Sequence, residues 1–300
     1  MTDRSSSDHP AMPEITQQMI KAYDDYTHLT LDRRRFMEEL TRLAGSGAAA
    51  AAIAPMLAAS QAQAALVEDG DPRISASEAS FPAPGGEMQA YLVRPADASG
   101  PLPAVLVIHE NRGLNEHTRD IARRLALEGF MTLAVDFLSP VGGTPADEDK
   151  AREMIGQLDG ARTTANAVAA ARWMADRPDA SGAVGAVGFC WGGGLVNQLA
   201  VHDPDLDAGV AYYGRQAEAD DAAKIQAALL LHYAGLDERI NAGIEAYRSA
   251  LEAAGKDVTI HVYDGVNHAF NNDTSAARYN KPAADLAWSR TVEFLKAKLG

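Results

Sequence analysis

From residue 75 onward the chain alternates short, nearly unbroken apolar runs with helix-length stretches that are apolar on one face only, and this alternation narrows the fold more than any other feature. Residues 104–108 and 131–135 are apolar runs of strand length, the pattern of strands covered on both faces. Between them, residues 117–128 set Ile121, Ala122 and Leu125 on one helical face and charged residues on the other. A strand at 88–93 precedes this group. After it come a helix at 162–176, a strand at 183–189, a helix at 193–202, strands at 208–213 and 227–233, a helix at 244–254, a strand at 258–263 and a helix at 283–299. Such a succession predicts a doubly wound, mostly parallel α/β sheet with helices on both faces. No repeat or linker divides the chain after residue 75, so a single domain over 65–300 is expected.

Three hundred residues, 47% of them apolar, can bury a substantial core. A net charge of −14 leaves no basic surface to neutralise a phosphate backbone, which argues against nucleic acid and for a small-molecule ligand. The single cysteine, Cys190, excludes an internal disulfide, so it acts as a thiol or through another chain.

The first 64 residues read as a leader. Asp32-Arg33-Arg34-Arg35-Phe36-Met37 matches the twin-arginine pattern, an alanine-rich run follows at 47–60, and Ala62-Gln63-Ala64 has the form of a signal-peptidase site with cleavage before Ala65. This predicts export by the twin-arginine machinery to the periplasm or beyond. The competing reading is a helical N-terminal extension of a cytoplasmic protein, although Gly45, Gly47 and Pro55 make a poor helix. No other segment approaches the ~18 continuous apolar residues of a membrane helix, so no membrane association is expected of the mature chain. Export would expose the thiol to oxidation.

Cys190 lies in Gly188-Phe189-Cys190-Trp191-Gly192-Gly193, at the junction of an apolar strand and a helix. This is the G-x-C-x-G form of the nucleophile elbow, in which flanking glycines make room for a strained turn. The helix N-terminus then points at the nucleophile, favouring a thiolate and an oxyanion. A buried structural cysteine and a phosphate loop are the competing readings, but Gly-Lys-Ser/Thr is absent. In enzymes with such an elbow the acid and the histidine follow in chain order on loops after late strands. Asp237 and His268 occupy such places, each just past a predicted strand. Glu110, in Ile108-His109-Glu110-Asn111-Arg112-Gly113, follows an earlier strand; its competing role is a surface ion pair with Arg112 or Arg123.

With these marks, and with Val135-Asp136-Phe137, Tyr212-Tyr213-Gly214 and Asn267-His268-Ala269-Phe270, residues 80–300 resemble the dienelactone hydrolase (carboxymethylenebutenolidase) family of the α/β-hydrolase superfamily. The resemblance implies an α/β-hydrolase fold and a cofactor-free hydrolase of small esters or lactones. It further implies that Cys190 attacks the carbonyl while His268, oriented by Asp237, manages protons. The backbone N–H groups of Trp191 and Asn111 would hold the oxyanion, and Glu110 would take the thiol proton when substrate binds. The family's substrate carboxylate is clamped by two arginines whose places here are Pro140 and Asn272. Arg112 is the leading substitute as a substrate-binding cation, with Arg215 and Arg278 as further candidates. Alternatives are a broad carboxylesterase, a thioester or peptide hydrolase, or a noncatalytic binding protein on the same fold. The histidines (His109, His117, His202, His232, His261, His268) show no H-E-x-x-H or paired ligand spacing, so no metal is expected.

Overall fold

The apolar runs pair into one eight-stranded sheet in the computed structural model, which describes residues 14–28, 31–58 and 65–300. The strands are β1 (Ile74–Ala83), β2 (Gly86–Pro95), β3 (Leu102–Ile108), β4 (Met131–Asp136), β5 (Ala180–Phe189), β6 (Ala208–Tyr212), β7 (Ala228–Ala234) and β8 (Val258–Tyr263). Their order is β1-β2-β4-β3-β5-β6-β7-β8. The β1–β2 and β2–β4 pairs are antiparallel and all the others parallel. The order reverses at β3, which pairs with β4 on one side and β5 on the other. In open α/β sheets the crevice beyond the carboxyl ends of strands at such a switch point is where ligands bind.

Ten helices are described: α1 (Gln17–Thr27), α2 (Arg33–Ala44), α3 (Gly47–Leu57), α4 (Glu116–Leu127), α5 (Glu148–Gly156), α6 (Gly160–Ala175), α7 (Trp191–His202), α8 (Glu238–Asn241), α9 (Ile244–Ala253) and α10 (Lys281–Leu299). Successive residues of a strand face opposite ways, so β3 sends Leu106 and Ile108 into one core layer with α6, α7 and α9. It sends Val105 and Val107 into the other layer, with α4 and α10. Each fully buried aliphatic side chain stabilises the fold by about 1.5–3 kcal/mol, which is why the central strands carry almost no polar residue.

Several elements lay outside the sequence expectation, among them β1, α5 and the one-turn helix α8. β1 keeps only Ile74 and Phe81 buried, so as an edge strand it shows too little alternation to announce itself. α5 is a short helix inside the connection after β4, started by Asp147, whose side chain accepts from the backbone N–H of Lys150.

The chain divides into two compact units, Met1–Ser60 with Ser275–Ala277, and Gln61–Thr274 with Arg278–Gly300. In the first, α1, α2 and α3 enclose an apolar core that includes Tyr23, Tyr26, Leu40, Ile53 and Leu57. Phe36, the aromatic residue of the twin-arginine pattern, stacks on Tyr26 with ring centroids 4.7 Å apart inside that core, while Arg33, Arg34 and Arg35 are exposed. The segment 47–57 forms a helix despite Gly47 and Pro55, because Ala50, Ile53 and Leu57 bury one face. Ala62-Gln63-Ala64 lies outside the described residues. Among the described residues no single helix is long and apolar enough to cross a membrane; α2 and α3 reach that composition only together, across a 112° bend.

In the second unit the segment after residue 65 is tied down by a buried arginine. The guanidinium of Arg123, fully shielded from solvent, donates from Nε to the Val67 carbonyl at 2.6 Å and pairs with Glu116. The Val67 N–H in turn donates to Asp120 Oδ1 at 2.8 Å. A chain beginning at Ala65 is therefore expected to keep this strap intact. One beginning at Asp69 leaves buried polar groups unpaired, which we expect to cost about 3 kcal/mol and lower Tm by roughly 6–12 °C. Equal thermal melting of the two truncations would show that the strap contributes nothing.

Candidate active site

β5 ends at Phe189 and α7 begins at Trp191, leaving Cys190 alone in the turn with φ 54° and ψ −114°. A non-glycine residue held at such angles stores strain of order 1–3 kcal/mol and persists only where its surroundings over-determine it. Here the Cys190 N–H donates to the Tyr212 carbonyl at 3.0 Å, and the Gly194 N–H donates to the Cys190 carbonyl at 3.1 Å. A Cβ on Gly188 would stand 2.2 Å from the Gly192 carbonyl oxygen. One on Gly192 would stand 2.5 Å from the carbonyl oxygens of Ile108 and His109. Only glycine lets the first turn of α7 close against the ends of β3 and β5. Trp191 is the first residue of α7, a position whose N–H has no acceptor within its own helix.

Asp237 caps α8, its Oδ1 accepting from the Ile240 N–H at 3.2 Å. Its Oδ2 accepts from His268 Nδ1 at 2.5 Å, which fixes the tautomer and turns Nε2 the other way. Cys190 Sγ and a ring nitrogen of His268 lie within 4.8 Å of each other. All three residues are buried. Burial works against charge on His268, but the electrostatic influence of Cys190 and the bond to Asp237 outweigh it, pushing the imidazole up to about 10. Burial likewise opposes charge on Asp237, yet the bond from His268 and the positive charges of His268 and Arg239 hold its carboxyl at about 2.

Glu110 follows the end of β3. It pairs with neither Arg112 nor Arg123, the partners its surface reading offered. Its Oε1 accepts from the Tyr213 hydroxyl at 3.3 Å and its Oε2 from Asn272 Nδ2 at 2.9 Å. Tyr213 stays a donor because burial first, then the charges of Glu110 and Cys190, push its hydroxyl well above the usual range. His109 is fully buried, donates from Nδ1 to the Glu110 carbonyl at 2.6 Å, and accepts from the Phe137 N–H at Nε2, 3.3 Å away. Its ring lies flat on the Trp191 indole, centroids 5.3 Å apart. Burial holds its pKa below the ordinary value, so it is neutral. Asn111 sits half-buried in the turn after Glu110.

The candidate arginines differ in place. Arg112 forms an ion pair with Glu148 of α5, and the same helix packs Ala151 and Ile155 near Leu138, with Trp191 against that cluster. Arg215 is exposed and pairs with Glu218 at 3.6 Å. Arg278 is buried, and its positive charge reaches Tyr213. Pro140 lies in a short 3-10 turn, and Asn272 is engaged with Glu110. The structure brings Cys190 and the bonded pair Asp237–His268 close together, and Glu110 bonds Tyr213, whose ring lies against His268; the polar contacts of Tyr213, Asn272 and His109 were not expected from the sequence. Tyr213 and Asn272 did stand within or beside motifs already singled out, and the adjacency of His109 to Glu110 was the one signal for the third.

The dienelactone hydrolase family model matches residues 88–299. A protein of Escherichia coli O157:H7 named "Putative carboxymethylenebutenolidase" is 34% identical over 253 residues, covering 80% of this chain and 93% of the relative. A protein of the same name from Methylorubrum extorquens is 32% identical, covering 89% of this chain and 93% of the relative. The crystal structure titled "Putative Dienelactone Hydrolase" from Klebsiella pneumoniae superposes with a TM-score of 0.67 at 33% identity, covering 74% of this chain and 98% of that one.

The Asp237–His268 pair makes stability depend on pH with a definite sign. A carboxyl lowered from 3.8 to about 2 contributes stability that is present above 3.8 and lost as pH falls through about 2. A histidine raised from 6.5 to about 10 contributes stability that is complete below 6.5 and lost as pH rises through about 10. Both contributions are at full strength between 3.8 and 6.5. Asp237→Asn should flatten the acid side of the profile, removing about 2 kcal/mol of the change seen between pH 5 and pH 2. Chemical denaturation across that range measures it, and parallel curves for the two proteins would refute the assignment.

Proposed function

The chain belongs to the dienelactone hydrolase family and is a hydrolase of carboxylic ester bonds; from that premise we propose that it cleaves small esters or lactones with Cys190 as nucleophile, His268 as general base and acid, and Asp237 orienting the histidine. The observation that carries this reading is the 2.5 Å Asp237–His268 bond, which leaves the other imidazole nitrogen for a sulfur held in the elbow. In the first step the Cys190 sulfur bonds to the carbonyl carbon and the carbonyl π pair moves to oxygen. The backbone N–H groups of Trp191 and Asn111 stabilise that oxyanion; one such donor contributes about 3 kcal/mol to the transition state. Collapse breaks the C–O bond, the leaving alkoxide takes a proton from His268, and a thioester remains on Cys190. A water then gives its proton to His268 and attacks the thioester, releasing the carboxylic acid and the thiol. Glu110 accepts the thiol proton as substrate enters and returns it to the departing sulfur, so that the proton taken from water leaves His268 charged for the next turnover. These steps need no cofactor.

Substrates without a carboxylate fit the site best. Pro140 and Asn272 carry no charge, and Arg112 is paired with Glu148. Two arginine contacts of about 1.5–3 kcal/mol each are absent from those two places, a difference on the order of 10²-fold or more in kcat/KM for an anionic lactone. One assay tests the reading on wild type, Cys190→Ala and Arg112→Ala, with p-nitrophenyl esters, neutral lactones and dienelactones. Cys190→Ala should fold normally and lose at least about 10³-fold in turnover. Neutral lactones should be hydrolysed at least as well as dienelactones, with Arg112→Ala unchanged in preference. Dienelactone turnover far above that of neutral lactones and falling selectively in Arg112→Ala would place the carboxylate contact at Arg112.

We infer also that residues 1–64 direct export through the twin-arginine machinery and that the mature chain starts at Ala65. The support is the Arg33-Arg34-Arg35-Phe36-Met37 run with its arginines exposed on α2. Because Phe36 is buried against Tyr26, the N-terminal unit must open for that run to be read whole. Arg33→Lys with Arg34→Lys should hold the enzyme in the cytoplasmic fraction at full length. Unchanged fractionation, with Met1 retained in both proteins, would favour the helical extension instead.

A further inference from the structure

Asn272 stands four residues past His268, on the same loop, and only 2% of it is exposed. Its side chain is locked from behind. Oδ1 accepts from the Thr274 N–H at 3.1 Å and from the Thr274 hydroxyl at 2.6 Å. A flipped amide would set its NH2 against the Thr274 N–H, donor against donor, so the oxygen must face Thr274 and the NH2 must face Glu110. The bond from Nδ2 to Glu110 Oε2 at 2.9 Å is therefore a directed one. The loop itself is anchored: Asp273 pairs with His117 of α4 at 3.2 Å, and the Asn280 N–H donates to the Phe270 carbonyl at 3.0 Å.

We propose that Asn272 is a positioning residue for Glu110, an uncharged donor that holds the carboxylate in place for proton exchange with the Cys190 thiol without setting a positive charge against it. This rests on the reading of Cys190 as nucleophile. Both side chains that hydrogen-bond the carboxylate, Tyr213 and Asn272, are neutral donors. The ionisable groups around them are Cys190 on the elbow, His109 and Asp136 at the ends of β3 and β4, His268 on the loop, and Arg278, whose charge reaches Tyr213. Arg112, next but one to Glu110, is turned to Glu148. A cation in the place of Asn272 would hold Glu110 ionised and oppose its protonation; an amide fixes its geometry without that opposition. Carrying His268 and the support of Glu110 on one loop also ties the positions of the two proton-handling groups together.

The test compares Asn272→Asp and Asn272→Ala with wild type, reading the pH profile of kcat/KM on a neutral p-nitrophenyl ester and the pH dependence of Cys190 alkylation by iodoacetamide. Asn272→Asp keeps the size of the side chain and an acceptor for Thr274, but sets a second carboxyl against Glu110. Paired carboxyls share a proton, so the acid limb of both profiles should move to higher pH by about one unit or more. Asn272→Ala should lower kcat about tenfold with KM within about twofold, since the bond it removes orients a group and does not hold substrate. Profiles for Asn272→Asp that superimpose on wild type, with kcat unchanged in folded Asn272→Ala, would reduce Asn272 to a structural residue and overturn the proposal. Cys190→Ala run in parallel separates the two claims: turnover persisting there overturns the nucleophile reading and this one with it. A dead Cys190→Ala beside unshifted Asn272 variants overturns this one alone.

Discussion

The close approach of three backbone segments around Cys190 is the constraint on which the site depends. The first turn of α7 presses against the ends of β3 and β5 so tightly that a methyl group on Gly188 or Gly192 would meet carbonyl oxygens at 2.2–2.5 Å. This contact places the N-terminus of α7, with its unsatisfied N–H groups, beside the sulfur. It also sets the elbow against the end of β3, where Glu110 and Asn111 emerge. The positive φ of Cys190 follows from the same geometry: a strand that must turn at once into a helix packed on its neighbours has no relaxed path. The strain is offset by the two-layered core beneath it, where β3 and β5 are buried on both faces.

Around this point the protein arranges charge in two different ways. Asp237 and His268 form a directly bonded pair in which each partner favours the charged form of the other despite burial. Glu110, by contrast, is surrounded by uncharged donors, while nearby Arg112 is paired with Glu148 of α5. The difference is chemical. The imidazole has a fixed counter-charge bonded to it, whereas the Glu110 carboxylate is held by groups that bring no charge of their own. Trp191 links this electrostatic arrangement to shape, since its indole stacks on His109 and packs with α5.

The two units rest on different physics. The unit containing the sheet draws on burial of aliphatic side chains in two layers and on a buried arginine strap at its start. The N-terminal unit is three short helices around an aromatic cluster of Tyr23, Tyr26 and Phe36. Helices of that length are marginal alone and depend on their packed face. The residues that look like a targeting motif are therefore also residues of a packed core, with the arginines outside and the phenylalanine inside.

The sequence by itself determined the strand and helix succession from 88 to 299, because burial on both faces leaves β3 to β7 almost without polar residues. It likewise determined the elbow, because few backbones need glycine on both sides of a residue in a strand-to-helix turn, and the places of Asp237 and His268, because both follow strand ends in chain order. β1 and α5 escaped, one an edge strand with two buried residues and the other a short helix within a connection. What only the tertiary structure decided is who holds whom. Asn272 lies 162 positions from Glu110 and Tyr213 lies 103, so no spacing along the chain could pair them. Arg112, close to Glu110 in sequence, turned instead to Glu148, because α5 brings a carboxylate within its reach. Strand-end positions are inherited from local apolar pattern, whereas hydrogen-bond partners across a crevice depend on how loops from separate strands converge, and that convergence exists only once the sheet has formed.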